Sequence, residues 1–143
     1  MDKYIFPAIF ETCEEGGYTI SFPDLPGCIT EGDTIEEALA MAKNALELHL
    51  YAMERDGDDI PRPGDPASLN APDGGFLSLV EAWMPLVHIE MATRSVKKTL
   101  TIPSWLNDYA DKQDINYSQL LQAALKEHLG VKEPSYAKNY GKK

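Results

Sequence analysis

The sequence predicts an α+β protein made of two modules, an acidic β-β-β-α-β domain followed by a short strand and two helices. Three observations support this prediction. Short runs of β-forming residues precede residue 34, apolar residues then recur at helical spacing as far as Met53, and the charge changes sign along the chain. Residues 1–91 carry 18 Asp/Glu and 4 Lys/Arg, a net charge of −14, whereas residues 92–143 carry 5 and 9, a net charge of +4.

Three strands are predicted in the first third of the chain. Tyr4–Phe10 is rich in aromatic and β-branched residues, and Pro7 predicts an edge strand or a bulge because proline cannot donate to a strand ladder. Tyr18–Phe22 alternates polar and apolar residues and follows a Glu-Glu-Gly-Gly turn, which predicts a hairpin. Cys28–Glu31 is predicted as a short third strand.

A long amphipathic helix follows, with a clear start and a clear end. Thr34 and Glu37 have the spacing of a capping box, and the glycine at 57 suits the position just past a helix terminus. The predicted apolar stripe consists of Ile35, Ala38, Leu39, Ala42, Leu46, His49, Leu50 and Met53. Its histidine is accordingly predicted to pack in the core.

The rest of the acidic domain is predicted as a loop, a strand and a connector. Asp58–Gly75 is rich in Pro, Gly and Asp and reads as a long loop. Phe76–Ala82 resumes strand character, and Met84–Met91 is apolar but interrupted by Pro85, which predicts a short strand or a connector. These elements predict one helix packed on a small antiparallel sheet.

The C-terminal module is predicted to be a strand and two helices that need a second copy. Lys97–Ile102 alternates with period two, and one face carries Lys97, Thr99 and Thr101, which suit base edges and phosphates. Asn116 is predicted as the N-cap of the last helix. So small a unit buries too little surface alone, whereas two copies could pair their strands into a ribbon of the kind that reads the DNA major groove.

Composition excludes several classes of protein. At 43% hydrophobic the chain can build a core, yet it has no apolar run of membrane-spanning length and no secretory signal, so a cytoplasmic protein without membrane contact is expected. The two cysteines form no disulfide framework, and no cofactor or metal is predicted. Asp24, Glu31 and Asp33 suggest a magnesium nuclease as a minor alternative, although turn and cap contexts favour structural or partner-facing roles.

The acidic domain resembles a known family. Tyr18–Ala38, Ala45–Leu50 and Leu79–Glu81 are similar to the signature of HicB-type antitoxins. The resemblance implies that residues 1–91 form a partial ribonuclease H-like fold that binds a HicA-type toxin, a small basic mRNA endonuclease. The charge of −14 suits a basic partner. The predicted toxin contacts are Phe22, Pro23, Asp24, Leu25, Glu31 and Asp33.

The second module, residues 92–131, resembles the ribbon-helix-helix fold. The resemblance implies that the paired strands enter the major groove, with Lys97, Thr99 and Thr101 facing bases. It also implies that the N-terminus of the last helix clamps a phosphate. The residues at that terminus are Asn116, Tyr117 and Ser118. The remaining residues, 132–143, are predicted to be a disordered basic tail.

Together these features predict a non-enzymatic antitoxin that also binds double-stranded operator DNA and represses its own operon. The expected assembly is a homodimer through the ribbon-helix-helix module, or a tetramer if the N-terminal domains also pair. Two alternatives stay open. One is a stand-alone ribbon-helix-helix repressor whose acidic domain senses a ligand, and the other is a metal-dependent nuclease.

Overall fold

The structure, a computed structural model, describes residues 2–133. Contacts between Cα atoms divide the chain into two units, with the boundary between Met91 and Ala92. The tail predicted for residues 132–143 lies, from residue 134 onward, outside the described residues. Within the described range no helix is long and apolar enough to cross a membrane.

The first unit contains a four-stranded antiparallel sheet. Its strands are β1 (Lys3–Thr12), β2 (Tyr18–Ser21), β3 (Ile29–Gly32) and β4 (Phe76–Trp83). They lie in the order β3-β2-β1-β4, and every neighbouring pair is antiparallel. The predicted small antiparallel sheet is therefore confirmed, while the single predicted helix is joined by a second one, described below.

Pro7 lies in an interior strand, so the predicted edge strand or bulge is wrong. The pairing of β1 with β4 runs without interruption, and Pro7 lies opposite Leu79. The pairing of β1 with β2 begins only at Ile9. At Pro7 the strand therefore pairs on one side only, which explains how an interior strand accommodates a residue without an N–H group.

The predicted helix is confirmed as α1 (Ile35–Asp56). The Thr34 hydroxyl accepts a hydrogen bond from the Glu37 backbone N–H at 3.1 Å, and the Glu37 carboxylate accepts one from the Asp33 N–H at 3.0 Å. These two bonds form the expected capping box. At the other end Gly57 takes the left-handed conformation, which glycine adopts without steric cost.

The core of this unit lies between α1 and one face of the sheet. The fully buried members of this core cluster are, in α1, Ala38, Ala42, Leu46 and Leu50, and in the first two strands Phe6, Ala8, Phe10 and Ile20. Gly32 brings β3 close to α1, since a Cβ there would lie 2.6 Å from the Ala38 nitrogen. His49 is only half-buried, so its predicted core position is wrong.

Met84–Met91 is neither a strand nor a connector, because it belongs to a helix, α2 (Met84–Thr93). Pro85 interrupts a strand pattern but suits the first turn of a helix, where its missing N–H needs no partner. Met84 and Val87 are buried in the core, and His88 pairs with Glu54 of α1.

The second unit contains two helices, α3 (Ser104–Lys112) and α4 (Tyr117–Leu129). Asn116 caps α4 as predicted, because its side-chain oxygen accepts a hydrogen bond from the Gln119 N–H at 3.0 Å. Gly130 ends the helix in the left-handed conformation.

The predicted strand Lys97–Ile102 is not formed in the single chain. These residues have no regular secondary structure, and the sheet contains only β1 to β4. A strand is held by hydrogen bonds to a neighbouring strand, and no described strand of this chain pairs with the segment. The strand was predicted to pair with the same segment of a second copy, so it stays a prediction.

Candidate functional site

The segment between β2 and β3 is a tight loop with its apolar side chains turned inward. The Phe22 N–H donates to the Cys28 carbonyl at 3.2 Å, and the Leu25 N–H donates to the Phe22 carbonyl at 3.0 Å. Phe22, Leu25 and Cys28 are all buried. Burial raises the pKa of the Cys28 thiol to about 11, so the thiol is protonated at neutral pH.

This loop forms one wall of a groove of about 520 Å³. The other walls are the C-terminal half of α1 and the start of the loop that follows it. Its apolar lining residues are Leu25, Pro26, Ala52, Met53 and Pro61, and its polar ones are Asp24, His49, Asp56, Asp58 and Asp59. The groove thus combines an apolar surface with four carboxylates.

Asp24 connects the two loops that border the groove. Its carboxylate accepts a hydrogen bond from the Gly64 N–H at 3.0 Å, forty residues further along the chain. The bond holds the loop after α1 against the loop after β2. Asp24 is therefore a structural residue of the groove as well as one of its charges.

The six predicted toxin contacts do not form one surface. Phe22 and Leu25 are only 2% and 1% exposed, so most of each side chain packs inside the loop, although Leu25 also lines the groove. For these two residues the contact with a toxin stays a prediction. Pro23 is exposed and Asp24 borders the groove, and for these two the prediction stays untested.

The two remaining acidic residues of the set lie elsewhere. Glu31 lies in β3 opposite Thr19, on the sheet face away from α1, since its neighbour Gly32 faces the helix. Asp33 lines a second, more open groove together with Cys13 and other residues. Asp24, Glu31 and Asp33 are thus not brought together. Within residues 2–133 no group of three His, Cys, Asp or Glu could hold a metal ion.

Several groove residues were missed by the sequence reasoning, which assigned them to a helix stripe or an ordinary loop. They are His49, Met53, Asp56, Asp58 and Asp59. The available signal was an acidic run immediately after a helix that carries a polar histidine within its apolar stripe. Neither feature alone indicates a concave surface, since the groove exists only once the loop after β2 packs beside the helix end.

The residues predicted to bind DNA are all exposed in the second unit. The side chain of Asn116 caps α4. The N–H groups of Tyr117 and Ser118 also lie in the first turn, where helix geometry provides no acceptor within the helix. The Tyr117 hydroxyl donates to the Asp111 carboxylate at 2.6 Å, and this bond raises the pKa of the tyrosine. Lys97 and the two threonines lie in the segment without regular structure.

Neither helix of the second unit has a buried residue. Its exposed large apolar side chains are Val96, Leu100, Ile102, Trp105, Leu106, Tyr109, Tyr117, Leu120, Leu125, Leu129 and Val131. Trp105 and Tyr109 contact each other edge to face but are about two-thirds exposed (63% and 65%). As one copy, the described part of this unit has no closed core.

Comparison with known proteins gives a consistent result. A model of the HicB-like antitoxins of bacterial toxin–antitoxin systems matches residues 6–124. Antitoxin HicB 1 of Photorhabdus laumondii is 49% identical over 59 residues, which are 41% of this chain and 38% of that protein. The chain therefore aligns with less than half of that relative.

Solved structures extend the likeness to most of the chain. A chain of a toxin–antitoxin complex from Streptococcus pneumoniae is similar with a TM-score of 0.58 and 26% identity, covering 88% of this chain and 99% of that one. The antitoxin HicB of Burkholderia pseudomallei has a TM-score of 0.51 at 21% identity, covering 88% and 98%, and shows a shared fold.

Proposed function

Since this chain belongs to the HicB-like antitoxin family of bacterial toxin–antitoxin systems, we propose that it neutralises a HicA-type toxin and represses its own operon. Residues 1–91, a partial ribonuclease H-like domain in this proposal, bind the toxin. Residues 92–131 form a ribbon-helix-helix dimer that binds operator DNA. The observation that carries the proposal is the contrast between an acidic unit with its own core and a basic unit in which no described residue is buried.

The toxin-binding half of the proposal rests on charge and on the structural comparison. A unit with a net charge of −14 repels nucleic acid and attracts a basic protein, which speeds association and favours such partners. The similar Streptococcus pneumoniae chain comes from a toxin–antitoxin complex. In this proposal the chain acts without catalysis, by covering the RNA-binding surface of the toxin.

The DNA-binding half rests on the exposed apolar residues of the second unit. Two copies would cover the apolar sides of α3 and α4, and the segment Lys97–Ile102 of each copy would supply the neighbouring strand that the other lacks. In such a ribbon Lys97, Thr99 and Thr101 share one face. The N-terminus of α4 would bind a phosphate through the N–H groups of Tyr117 and Ser118.

Co-expression with the small open reading frame beside this gene tests the antitoxin function. We expect the neighbouring protein to arrest growth when it is expressed alone. When both proteins are expressed, growth should continue and the neighbouring protein should co-purify with this chain. Failure of both results would refute toxin neutralisation. If the purified chain nevertheless bound operator DNA, a ribbon-helix-helix repressor with a ligand-sensing acidic domain would replace the proposal.

Operator binding has a separate test. Replacing Lys97 and Thr99 together by alanine should abolish the gel shift of operator DNA and leave toxin neutralisation intact. Lys126→Ala is the control, because it removes a positive charge of α4 whose partner is Glu133. Binding by the wild type should also fall steeply with salt, because phosphate contacts release counterions. If the Lys97 and Thr99 double variant lost operator binding and toxin neutralisation equally, the two units would not act separately.

A further inference from the structure

One flank of α1, here called the outer stripe, carries apolar residues in addition to those that form the core. Met41, Ala45, Leu48 and Ala52 recur at intervals of four, three and four residues, which places them on one side of the helix, beside the core face against which Ala45 is partly buried. Met41 and Leu48 are 37% and 39% exposed, whereas the core residue Leu46 is fully buried. This outer stripe is a helix face that no described part of the first unit covers completely.

The outer stripe runs into the groove described above. Ala52 belongs to both, and beyond it the groove continues over Met53, Pro26 and Pro61. The stripe and the groove together form one surface, here called the α1 docking surface. It begins on the middle of α1 and ends at the loop after the helix.

In the groove, the concave part of this surface, the lysine, arginine and carboxylate side chains to consider are all carboxylates. Asp24, Asp56, Asp58 and Asp59 border the groove, and neither lysine nor arginine is among its lining residues. Arg55 pairs with Asp56 at 3.1 Å and offsets part of one charge. The lysine of α1, Lys43, is engaged elsewhere by Glu47 and by the Glu81 carbonyl.

These features identify the kind of partner that fits. A second copy of the first unit would bring two acidic borders together, and like charges at an interface cost several kcal/mol. Nucleic acid would be repelled for the same reason. A basic protein satisfies both parts of the surface, since an apolar side chain can enter the groove while neighbouring Lys or Arg side chains meet the carboxylates.

We propose that the α1 docking surface is where the antitoxin binds its toxin, with an apolar side chain flanked by basic residues of the toxin seated in the groove. This inference rests on the proposed function, because it assigns that function to one surface. From the predicted contact region Phe22–Asp33 it keeps Asp24, Leu25 and Pro26, and it adds the side of α1 and the loop after the helix.

Two kinds of variant separate the apolar and the charged contributions. Ala52→Arg fills the groove and should weaken binding of the neighbouring HicA-type protein by about 100-fold, mainly through faster dissociation. Asp58→Lys with Asp59→Lys reverses two exposed charges and should slow association by about 10-fold at low salt. Both are measured by surface plasmon resonance on the full-length chain, with the HicA-type protein as analyte.

Each variant has a matched control. Ala40→Arg makes the same change at an exposed position on another side of α1, and Glu14→Lys with Glu15→Lys reverses two exposed charges in the β1–β2 turn. We expect less than about a threefold loss of affinity for either control. Thermal unfolding of each variant shows whether the first unit is intact. If Ala52→Arg fails to fold, the variant Asp58→Lys with Asp59→Lys keeps the test valid.

The outcomes distinguish the inference from the proposed function. A loss of toxin affinity in the groove variants that the control variants do not show supports the α1 docking surface. Normal toxin binding by folded groove variants, or equal losses in variants and controls, overturns this surface while the antitoxin function stands. Absence of binding by the wild-type chain overturns the proposed function itself, and the inference falls with it.

Discussion

The two units of the chain place their apolar side chains in opposite ways. In the first unit, side chains from the sheet, α1 and α2 close a core that includes the fully buried Phe6, Leu46 and Met84. In the second unit, α3 and α4 have no buried residue, and Leu100, Leu120 and others are more than half exposed. The difference lies in how far each unit can bury its own surface.

This contrast predicts two kinds of stability. The first unit is stabilised within one chain, so its unfolding should not depend on protein concentration. A domain of the size of residues 92–131 lies near the lower limit for folding alone, and its described residues show no core. Its stability should therefore depend on a second copy and change with concentration by mass action.

The largest expected effect is the loss of assembly in Leu120→Asp. If two copies cover this leucine, each dimer loses two buried side chains, which costs about 4 kcal/mol or roughly a thousandfold in the dissociation constant. Sedimentation equilibrium should show monomers and operator binding should disappear. The Gln122→Asp variant, which adds the same charge to the same helix, should still assemble into an even number of chains. If the wild-type chain were a monomer at high concentration, the second unit would not depend on a second copy and the predicted difference between the units would be wrong.

The next effect concerns the core of the first unit. Leu46→Ala removes a fully buried side chain and should lower the free energy of unfolding by about 2–5 kcal/mol. Leu48→Ala, in the same helix but 39% exposed, should cost less than about 1 kcal/mol. Urea unfolding monitored by circular dichroism at two protein concentrations checks both values. A concentration-dependent midpoint for the first unit would contradict its independence.

Equivalent helix caps in the two units provide a finer test. Thr34 and Asn116 each accept a hydrogen bond from an N–H group three residues ahead, at 3.1 Å and 3.0 Å. Replacement of either by alanine should cost about 1 kcal/mol. We expect the loss at Thr34 to be the same at every protein concentration, whereas the loss at Asn116 should also weaken dimerisation. Identical behaviour of the two variants in sedimentation experiments would argue against this difference.

A last expected effect is a dependence of stability on alkaline pH. The pKa of the Cys28 thiol is raised by burial from its ordinary 9.0 to about 11, so its contribution is fully present below pH 9.0 and is lost as the pH rises through 11. The wild type should therefore lose stability over this interval relative to Cys28→Ala. Urea titrations at a series of pH values measure the difference, and parallel curves would show that Cys28 does not titrate with unfolding.

Local signals in the sequence were reliable where a few neighbouring residues decide the structure. The capping box of Thr34 and Glu37, the glycine that ends α1 and the Asn116 cap all lie where their spacing predicts them. Caps depend on hydrogen bonds within one helical turn, so no distant part of the chain can easily override them.

Predictions failed where a residue suits two structures and distant contacts decide between them. Pro85 was taken to break a regular element but begins α2, and Pro7 was taken to mark an edge but lies in an interior strand. Phe22 and Leu25, which were predicted as toxin contacts, are buried, and their spacing does not show it. The loop folds over its own apolar side chains, and sequence spacing carries no information about that closure.

Residue order was enough to predict the α1 helix and its caps, the division of charge between the halves and the resemblance to the antitoxin family. All of these depend on residues close together in the chain or on simple sums. Which acidic residues share a surface depends instead on how the chain folds. The tertiary structure joins Asp24 to the end of α1 and separates it from Glu31 and Asp33, because a groove forms where elements distant in sequence pack together.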